Sequence, residues 1–190
     1  MSRDLADVDW PVRTERLVLR PALSSDVESV WRYRQVPEVS EWLTAAPQTL
    51  EGFRRYFDVP DRLAKTLVIE LDDVVIGDLM IATVDPYAQA EVADQAAATQ
   101  AELGWCIAPD HTGEGYAKEA AREMFRLCFE DLGLRRVVAG CFVDNEPSWQ
   151  LMERLGMRRE SHAVRDSLHR SGRWLDGYVY ALLRDEWVPA

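Results

Sequence analysis

One glycine-punctuated segment, HTGEGYAKEAA at residues 111–121, constrains the fold more than any other part of the chain. The apolar run before it, residues 101–108, predicts a strand that ends at Pro109. After Gly115 the apolar side chains recur with the period of an amphipathic helix. They are Ala117, Ala120, Ala121, Met124, Phe125, Cys128 and Leu132. The segment therefore predicts a strand, a turn containing Gly113 and Gly115, and a helix.

Composition narrows the class of protein. The chain has 190 residues, of which 47% are hydrophobic, and this suits one domain over residues 1–190 with a core at about 12–187. A net charge of −11 argues against a nucleic-acid partner, because phosphate contacts need clustered Lys and Arg. No apolar run approaches the roughly 18 residues of a membrane span. We expect no membrane partner and a cytoplasmic location.

The cysteines and histidines of the sequence show no pattern that indicates a metal site or a disulfide bond. The three cysteines, Cys106, Cys128 and Cys141, each lie in an apolar segment and form no C-x-x-C pair. The three histidines show no ligand spacing. The cysteines are therefore predicted to be core thiols, and no metal is expected.

The first half of the chain predicts strands and helices in alternation. Residues 14–20 read as a strand closed by Pro21, followed by a helix capped by Ser24 or Ser25. A second helix is expected over residues 49–65, interrupted near Pro60. Residues 66–71 and 74–84 predict two antiparallel strands joined at Asp72-Asp73. Residues 85–100 lack basic side chains and predict a long surface loop.

The second half continues from the glycine segment. Residues 135–143 predict a buried strand, and residues 144–157 a helix capped by Asn145 with Pro147 in its first turn. Two further strands are expected at 160–165 and 173–183. Together these elements predict an α/β (α+β) domain with one mixed, strongly twisted sheet of about six or seven strands, flanked by about four helices.

The junction of strand, glycine turn and helix suits an anion. It presents unpaired backbone N–H groups and the positive end of the helix dipole. The loop lacks the Gly-Lys-Ser/Thr ending of an NTPase loop and the third glycine of a dinucleotide site. A phosphate-bearing ligand of another kind and a tight turn without any ligand both remain open.

Spaced motifs resemble one family. The run Thr112 to Ala117 is similar to the Q/R-x-x-G-x-G/A loop of the GCN5-related N-acetyltransferases (GNAT). Asn145 and Ser148, followed by Leu155-Gly156-Met157, resemble the N-x-x-S/A…G-F/M segment of that family. TERLVLRP, AELGW and RWLDGYVYALLRDEW are similar to the Rim-type ribosomal-protein N-acetyltransferases. The resemblance covers about residues 12–187 and implies a GNAT-like domain.

The resemblance implies a site for acetyl-CoA. Its coenzyme-binding residues would be Ile107, Thr112, Gly113, Glu114, Gly115, Tyr116, Ala117, Lys118, Asn145 and Ser148. Two positions depart from the family pattern. Thr112 stands at the Q/R position, and Met152 stands where many members carry a tyrosine that protonates the departing thiolate.

Acyl transfer to an amine needs a neutral amine, a stabilised oxyanion and a proton for the thiolate. An α-amino group has a pKa of about 7.7–8.0, so a weak base suffices. Glu102 is the first candidate base and Asp166 the second, while Ser148 is the candidate donor to the sulfur. An acidic, aromatic acceptor site is expected from a further set of side chains. These are Trp31, Trp42, Tyr87, Trp174, Asp176 and Tyr178.

The sequence thus predicts an acetyl-CoA-dependent N-acetyltransferase acting on a primary amine, either a protein N-terminus or a small molecule. The alternative is a non-catalytic acyl-CoA-binding module, which the departures at Thr112 and Met152 would fit. A phosphate-binding protein for another nucleotide is a third possibility. For the oligomeric state, a monomer and a homodimer are both open.

Overall fold

A computed structural model describes residues 4–189 of the chain. Eight strands form a mixed sheet in the order β1-β2-β3-β4-β5-β6-β8-β7. The chain divides into two units. The N-terminal unit comprises Val8–Met80 and Trp105–Ala121, and the C-terminal unit comprises the other described residues.

The N-terminal unit is built on antiparallel strands. β1 (Val12–Arg13), β2 (Val18–Pro21), β3 (Thr66–Leu71) and β4 (Val74–Val84) pair in that order. The helices of this unit are α1 (Val27–Arg34), α2 (Pro37–Ser40), α3 (Leu50–Phe57) and α4 (Pro60–Leu63). Aromatic side chains of α1 and α3, among them Tyr33, Phe53 and Phe57, are buried with Val68 of β3. This apolar face of the two helices explains why they pack on the sheet.

The C-terminal unit contains a parallel pair of strands. The first part of β5 (Gln100–Ile107) runs parallel to β6 (Arg136–Phe142). β6 pairs antiparallel with β8 (Trp174–Leu183), and β8 with β7 (Arg158–Leu168). The helices are α5 (Ala93–Ala96), the second part of α6 (Tyr116–Arg126) and α7 (Glu146–Arg154). A π-helical turn, Leu127–Asp131, follows α6.

The predicted α/β architecture and mixed sheet are confirmed. The strands number eight instead of six or seven, because a two-residue strand, β1, precedes the expected strand at residues 14–20, which is shortened to β2. Thr14 and Leu17 close a turn between β1 and β2: the Thr14 N–H donates to the Leu17 carbonyl at 2.9 Å, and the Leu17 N–H donates to Thr14 Oγ1 at 3.0 Å. Residues 4–189 form seven α-helices, of which four have eight residues or more. The extra three are single turns.

One predicted helix cap is wrong. Ser24 and Ser25 lie in a 3₁₀ turn with Asp26, and α1 begins only at Val27. Asn145 is the N-cap residue of α7, as predicted, but its side chain makes no capping hydrogen bond. The backbone carbonyl of Asn145 instead accepts from the Ser148 N–H at 3.1 Å. Local spacing identified the helix starts, whereas side-chain orientation depended on the surrounding fold.

Two other local predictions are confirmed, the turn between β3 and β4 and the interruption of the second helix. The turn at Asp72-Asp73 joins antiparallel strands, with both residues at positive φ, 49° and 63°. The helix at residues 49–65 is interrupted before Pro60. Cys106 and Cys128 are buried and Cys141 is half-buried, all as free thiols. Within residues 4–189 no helix is long and apolar enough to cross a membrane.

Candidate functional site

The glycine loop lies between a short 3₁₀ turn, Pro109–His111, and the first residue of α6. Gly113 and Gly115 both have φ of 84°, a conformation that side-chain-bearing residues rarely adopt. A Cβ at Gly113 would have no atom within 4 Å, so the backbone there faces open space. The Thr112 hydroxyl is occupied, since it donates to the Pro109 carbonyl at 2.8 Å. The loop is therefore an open backbone cradle at a helix N-terminus.

Glu119 ties α6 to the β1–β2 turn. Its carboxylate accepts from the Thr14 hydroxyl at 2.5 Å, from the Arg16 backbone N–H at 2.8 Å and from Arg16 Nε at 2.7 Å. Burial would raise the pKa of Glu119, but these hydrogen bonds outweigh it and hold the pKa below its usual value. The start of α6 is thus fixed by a carboxylate that stays charged.

Arg16 is a residue of the loop region that the sequence analysis missed. Its Nη1 donates to the Glu114 carbonyl at 3.0 Å, and its guanidinium carbon lies 4.5 Å from the centre of the Tyr116 ring. Arg16 is 103 residues from Glu119, so no local pattern could join them. The resemblance of TERLVLRP to the family was the only available signal.

The remaining residues predicted to bind the coenzyme from this unit lie in or beside the loop. Tyr116, Ala117 and Lys118 form the first turn of α6 and are half-buried, and Ile107 ends β5. The Tyr116 ring is tilted against His111, with 6.2 Å between ring centroids. These residues therefore all belong to the N-terminal unit and lie in the loop or close to it in the chain.

A buried ion pair supports β4 in this unit. Asp78 is 2% exposed and accepts from the Tyr33 hydroxyl at 2.7 Å and from Arg34 Nε at 2.9 Å, with a second contact from Arg34 Nη2. Burial and the charge of Asp78 raise the pKa of Tyr33. Beside it, a Cβ at Gly77 would lie 2.5 Å from the Cys106 carbonyl. β4 and β5 approach here so closely that only glycine fits.

In the C-terminal unit, Glu102 lies on β5 with an exposed side chain. Its carboxylate makes no hydrogen bond or ion pair with any residue between 4 and 189. Glu102 pairs with Val138 of β6, which pairs with Ala181 of β8. Because directly paired residues point to the same side of a sheet, these three residues share one face.

Asp166 lies on the same face. β7 is irregular between Ala163 and Ser167, where Arg165 has φ of 49°. The Asp166 carboxylate accepts from the Ser167 hydroxyl at 2.9 Å and lies 3.0 Å from the position of a Cβ on Gly177. Gly177 is four residues from Ala181, or about 13 Å along β8. Glu102 and Asp166 are therefore separate carboxylates, not a pair.

Three side chains predicted to bind substrate lie on the opposite face. Trp174, Asp176 and Tyr178 alternate with Gly177 along β8, so they point away from the face of Glu102. The Arg159 guanidinium lies 4.6 Å from the centre of the Tyr178 ring. His162 Nε2 lies 2.7 Å from Asp176 Oδ2. This face is aromatic and carries mixed charge instead of the expected acidic surface.

Ser148 faces the same side as Tyr178. Cys141 pairs with Tyr178 across β6 and β8, and the Ser148 side chain hydrogen-bonds the Cys141 side chain. Burial raises the pKa of Cys141 to about 11, so the thiol stays protonated at neutral pH. Met152 is 1% exposed and belongs to the core. Ser148, with Asn145 just before α7, is thus on the face opposite Glu102.

The last three predicted acceptor residues are scattered. Trp31 packs against Phe53, with 5.3 Å between ring centroids, and contributes to the core of the N-terminal unit. Trp42 is half-buried after α2. Tyr87 is 97% exposed in the segment between β4 and β5.

Comparison with known proteins identifies the family. The family model described as "Acetyltransferase (GNAT) domain" matches residues 16–158, so the chain belongs to the GNAT acetyltransferases, which use acetyl-CoA. The chain is 28% identical to the uncharacterized N-acetyltransferase YnaD of Bacillus subtilis over 179 residues, 93% of this chain and 98% of the relative. It is 27% identical over 170 residues to the L-amino acid N-acetyltransferase AaaT of Escherichia coli, 88% of this chain and 98% of that protein.

A solved structure agrees with these relatives. The acetyltransferase (GNAT family) from Bacillus anthracis superposes with a TM-score of 0.77 at 28% identity, over 92% of this chain and 99% of that one. Family model, relatives and fold thus agree, and the protein is an N-acetyltransferase.

Proposed function

We propose that this protein transfers the acetyl group of acetyl-CoA to a primary amine by direct attack of the amine on the thioester carbonyl. The observation that carries the proposal is the open cradle at Gly113 and Gly115, at the start of α6. Backbone N–H groups at a helix N-terminus bind phosphate oxygens through hydrogen bonds and the helix dipole. The residues present therefore fit the pyrophosphate of the coenzyme.

The coenzyme, when bound, supplies an activated acetyl thioester. Backbone N–H groups of residues 113–117 would hold the pyrophosphate, and Lys118 adds a positive charge in the first turn of α6. Asn145 and Ser148, by family resemblance, would hold the pantetheine arm. A backbone N–H of residues 105–108 would stabilise the oxyanion.

Glu102 is the proposed general base. Its carboxylate is exposed and has no partner among the described residues, so it is available to take the proton that the attacking amine loses. Asp166, on the same face of the sheet, adds a second negative charge that attracts a cationic acceptor. Both carboxylates thus favour an amine that arrives protonated.

Ser148 is the proposed donor to the departing sulfur. As the new C–N bond forms and the C–S bond breaks, the amine's proton goes to Glu102, and the Ser148 hydroxyl donates a hydrogen bond that stabilises the departing thiolate, which takes its proton from solvent. Met152 is buried and has no proton to give.

The acceptor class we propose is an α-amino group, on a free amino acid or a peptide N-terminus. An α-amine with a pKa of about 7.7–8.0 needs only a weak base, whereas a lysine side chain near 10.4 needs a stronger one. A single solvent-exposed carboxylate matches the first requirement. The L-amino acid acetyltransferase that aligns over most of this chain supports the same choice.

Calorimetric titration with acetyl-CoA, followed by thiol-release assays, tests this function. The acceptors are free amino acids, peptides with a free N-terminus, and peptides with a blocked N-terminus and one lysine. We expect micromolar binding and thiol release with the first two classes only. Binding without release on any acceptor would support the non-catalytic acyl-CoA-binding module, and no binding would refute the proposal.

Glu102→Gln tests the base. Turnover should fall about 100-fold while acetyl-CoA binding stays unchanged, because a general base typically contributes about 10²–10⁴. The matched control is Glu38→Gln, which removes the same charge from an exposed position in α2. Equal turnover in the two variants would remove Glu102 from the mechanism.

A further inference from the structure

The β1–β2 turn places a guanidinium group on the glycine loop. We propose that Arg16 is a coenzyme-binding residue and that its guanidinium binds the pyrophosphate. This inference rests on the proposed function. It assigns a phosphate contact to a residue outside the loop motif.

The Arg16 guanidinium has N–H groups that no described residue accepts from. Of its five N–H groups, one on Nε donates to Glu119 and one on Nη1 donates to the Glu114 carbonyl. The other three have no acceptor among residues 4–189. Nη2 lies 3.5 Å from the position that a Cβ on Gly115 would occupy. The unused donors are therefore beside the cradle.

The position of the guanidinium is fixed before any ligand binds. Glu119 holds Arg16 through both the backbone N–H and Nε, and the ring of Tyr116 lies under the planar group. The Arg16 side chain is still 40% exposed, so an anion can reach it. A planar fork of donors held in this way suits the oxygens of a phosphate group.

The charge balance of the loop also requires Arg16. Within residues 112–119 the charged side chains are Glu114, Lys118 and Glu119, which sum to −1. Arg16 brings the sum to zero. Thr112 adds no charge, and its hydroxyl is bonded to Pro109. Arg16 therefore offsets the formal negative charge of the loop residues next to which the pyrophosphate would bind.

Calorimetric titration with coenzyme A tests the proposal. Arg16→Gln should weaken binding about 10- to 100-fold, the range for a lost hydrogen bond to a charged group. The matched control is Arg13→Gln, which removes an exposed charge from β1 of the same hairpin and should change binding less than about twofold. Equal binding by both variants would overturn the proposal.

The salt dependence of binding separates a phosphate contact from a purely structural clamp. If the Arg16 guanidinium pairs with the pyrophosphate, coenzyme A binding should fall less steeply with added salt in Arg16→Gln than in the wild type, because one charged contact is gone. If Arg16 serves only to hold the loop through Glu119, Arg16→Gln and the wild type should show the same salt dependence, and the proposal fails. Failure of the wild-type protein to bind coenzyme A would instead refute the proposed function.

Discussion

Gly113→Ala is the substitution that tests the cradle most directly. At φ of 84° an alanine incurs about 1–2 kcal/mol of backbone strain. The added methyl group meets no protein atom within 4 Å, so strain is its only effect on the free protein. In the complex the same methyl group occupies space that a phosphate would need. We therefore expect a modest loss of stability and a separate loss of coenzyme affinity.

Gly133→Ala is the matched control. Gly133 also has positive φ, 69°, and a methyl group added there would also meet no atom within 4 Å, but it follows the π-helical turn, away from the loop sequence. Both variants should lower the free energy of unfolding by about 1–2 kcal/mol, measured by urea denaturation. Only Gly113→Ala should also weaken acetyl-CoA binding, by about 10- to 100-fold, measured by calorimetry. Unchanged affinity in Gly113→Ala would refute the assignment of the cradle to phosphate.

Two further predictions concern stability. Asp78→Ala should lower the free energy of unfolding by about 3–5 kcal/mol, because it leaves Arg34 buried without its counter-ion. The control Asp9→Ala, at an exposed position, should lower it by less than about 0.5 kcal/mol. Similar values for the two variants in urea denaturation would contradict the role of the Asp78–Arg34 pair. The pKa of Glu119 is lower in the folded protein than in the unfolded chain, where it is near 4.5. The stabilisation that the charged Glu119 carboxylate gives to the fold is therefore fully present above the unfolded pKa and is lost as the pH falls through the lower folded pKa. The difference in unfolding free energy between wild type and Glu119→Gln should therefore shrink as the pH falls below about 4.5, and a constant difference would contradict it.

Much of the fold follows from local sequence patterns. The 3.6-residue period after Gly115 predicted α6, and Asp72-Asp73 predicted the hairpin between β3 and β4. The glycines of the loop were identified before their φ angles were known. These predictions held because helix period, turn chemistry and glycine conformation depend on residues close together in the chain.

Some local predictions failed where side chains competed. Ser24 and Ser25 have the right chemistry for a cap, yet the Asp26 carboxylate accepts from the Leu23 N–H at 2.8 Å and also binds Arg20. β1 and β2 are separated by a turn at Thr14 because Leu17 has a hydrogen-bonding partner there. The side chain of a serine, threonine or aspartate can form several local hydrogen bonds, and the neighbouring groups in the folded protein determine which of them forms.

By itself, the sequence determined the elements, the glycine loop and the family. The tertiary structure decided which side chains share a surface. Strand register places Glu102 and Asp166 on one face, with Ser148 and Tyr178 on the other, and a shift of one residue would exchange them. Arg16 reaches the loop only because Glu119, 103 residues away, holds it. Contacts between distant residues form when strands pair and helices pack, and no local pattern encodes them.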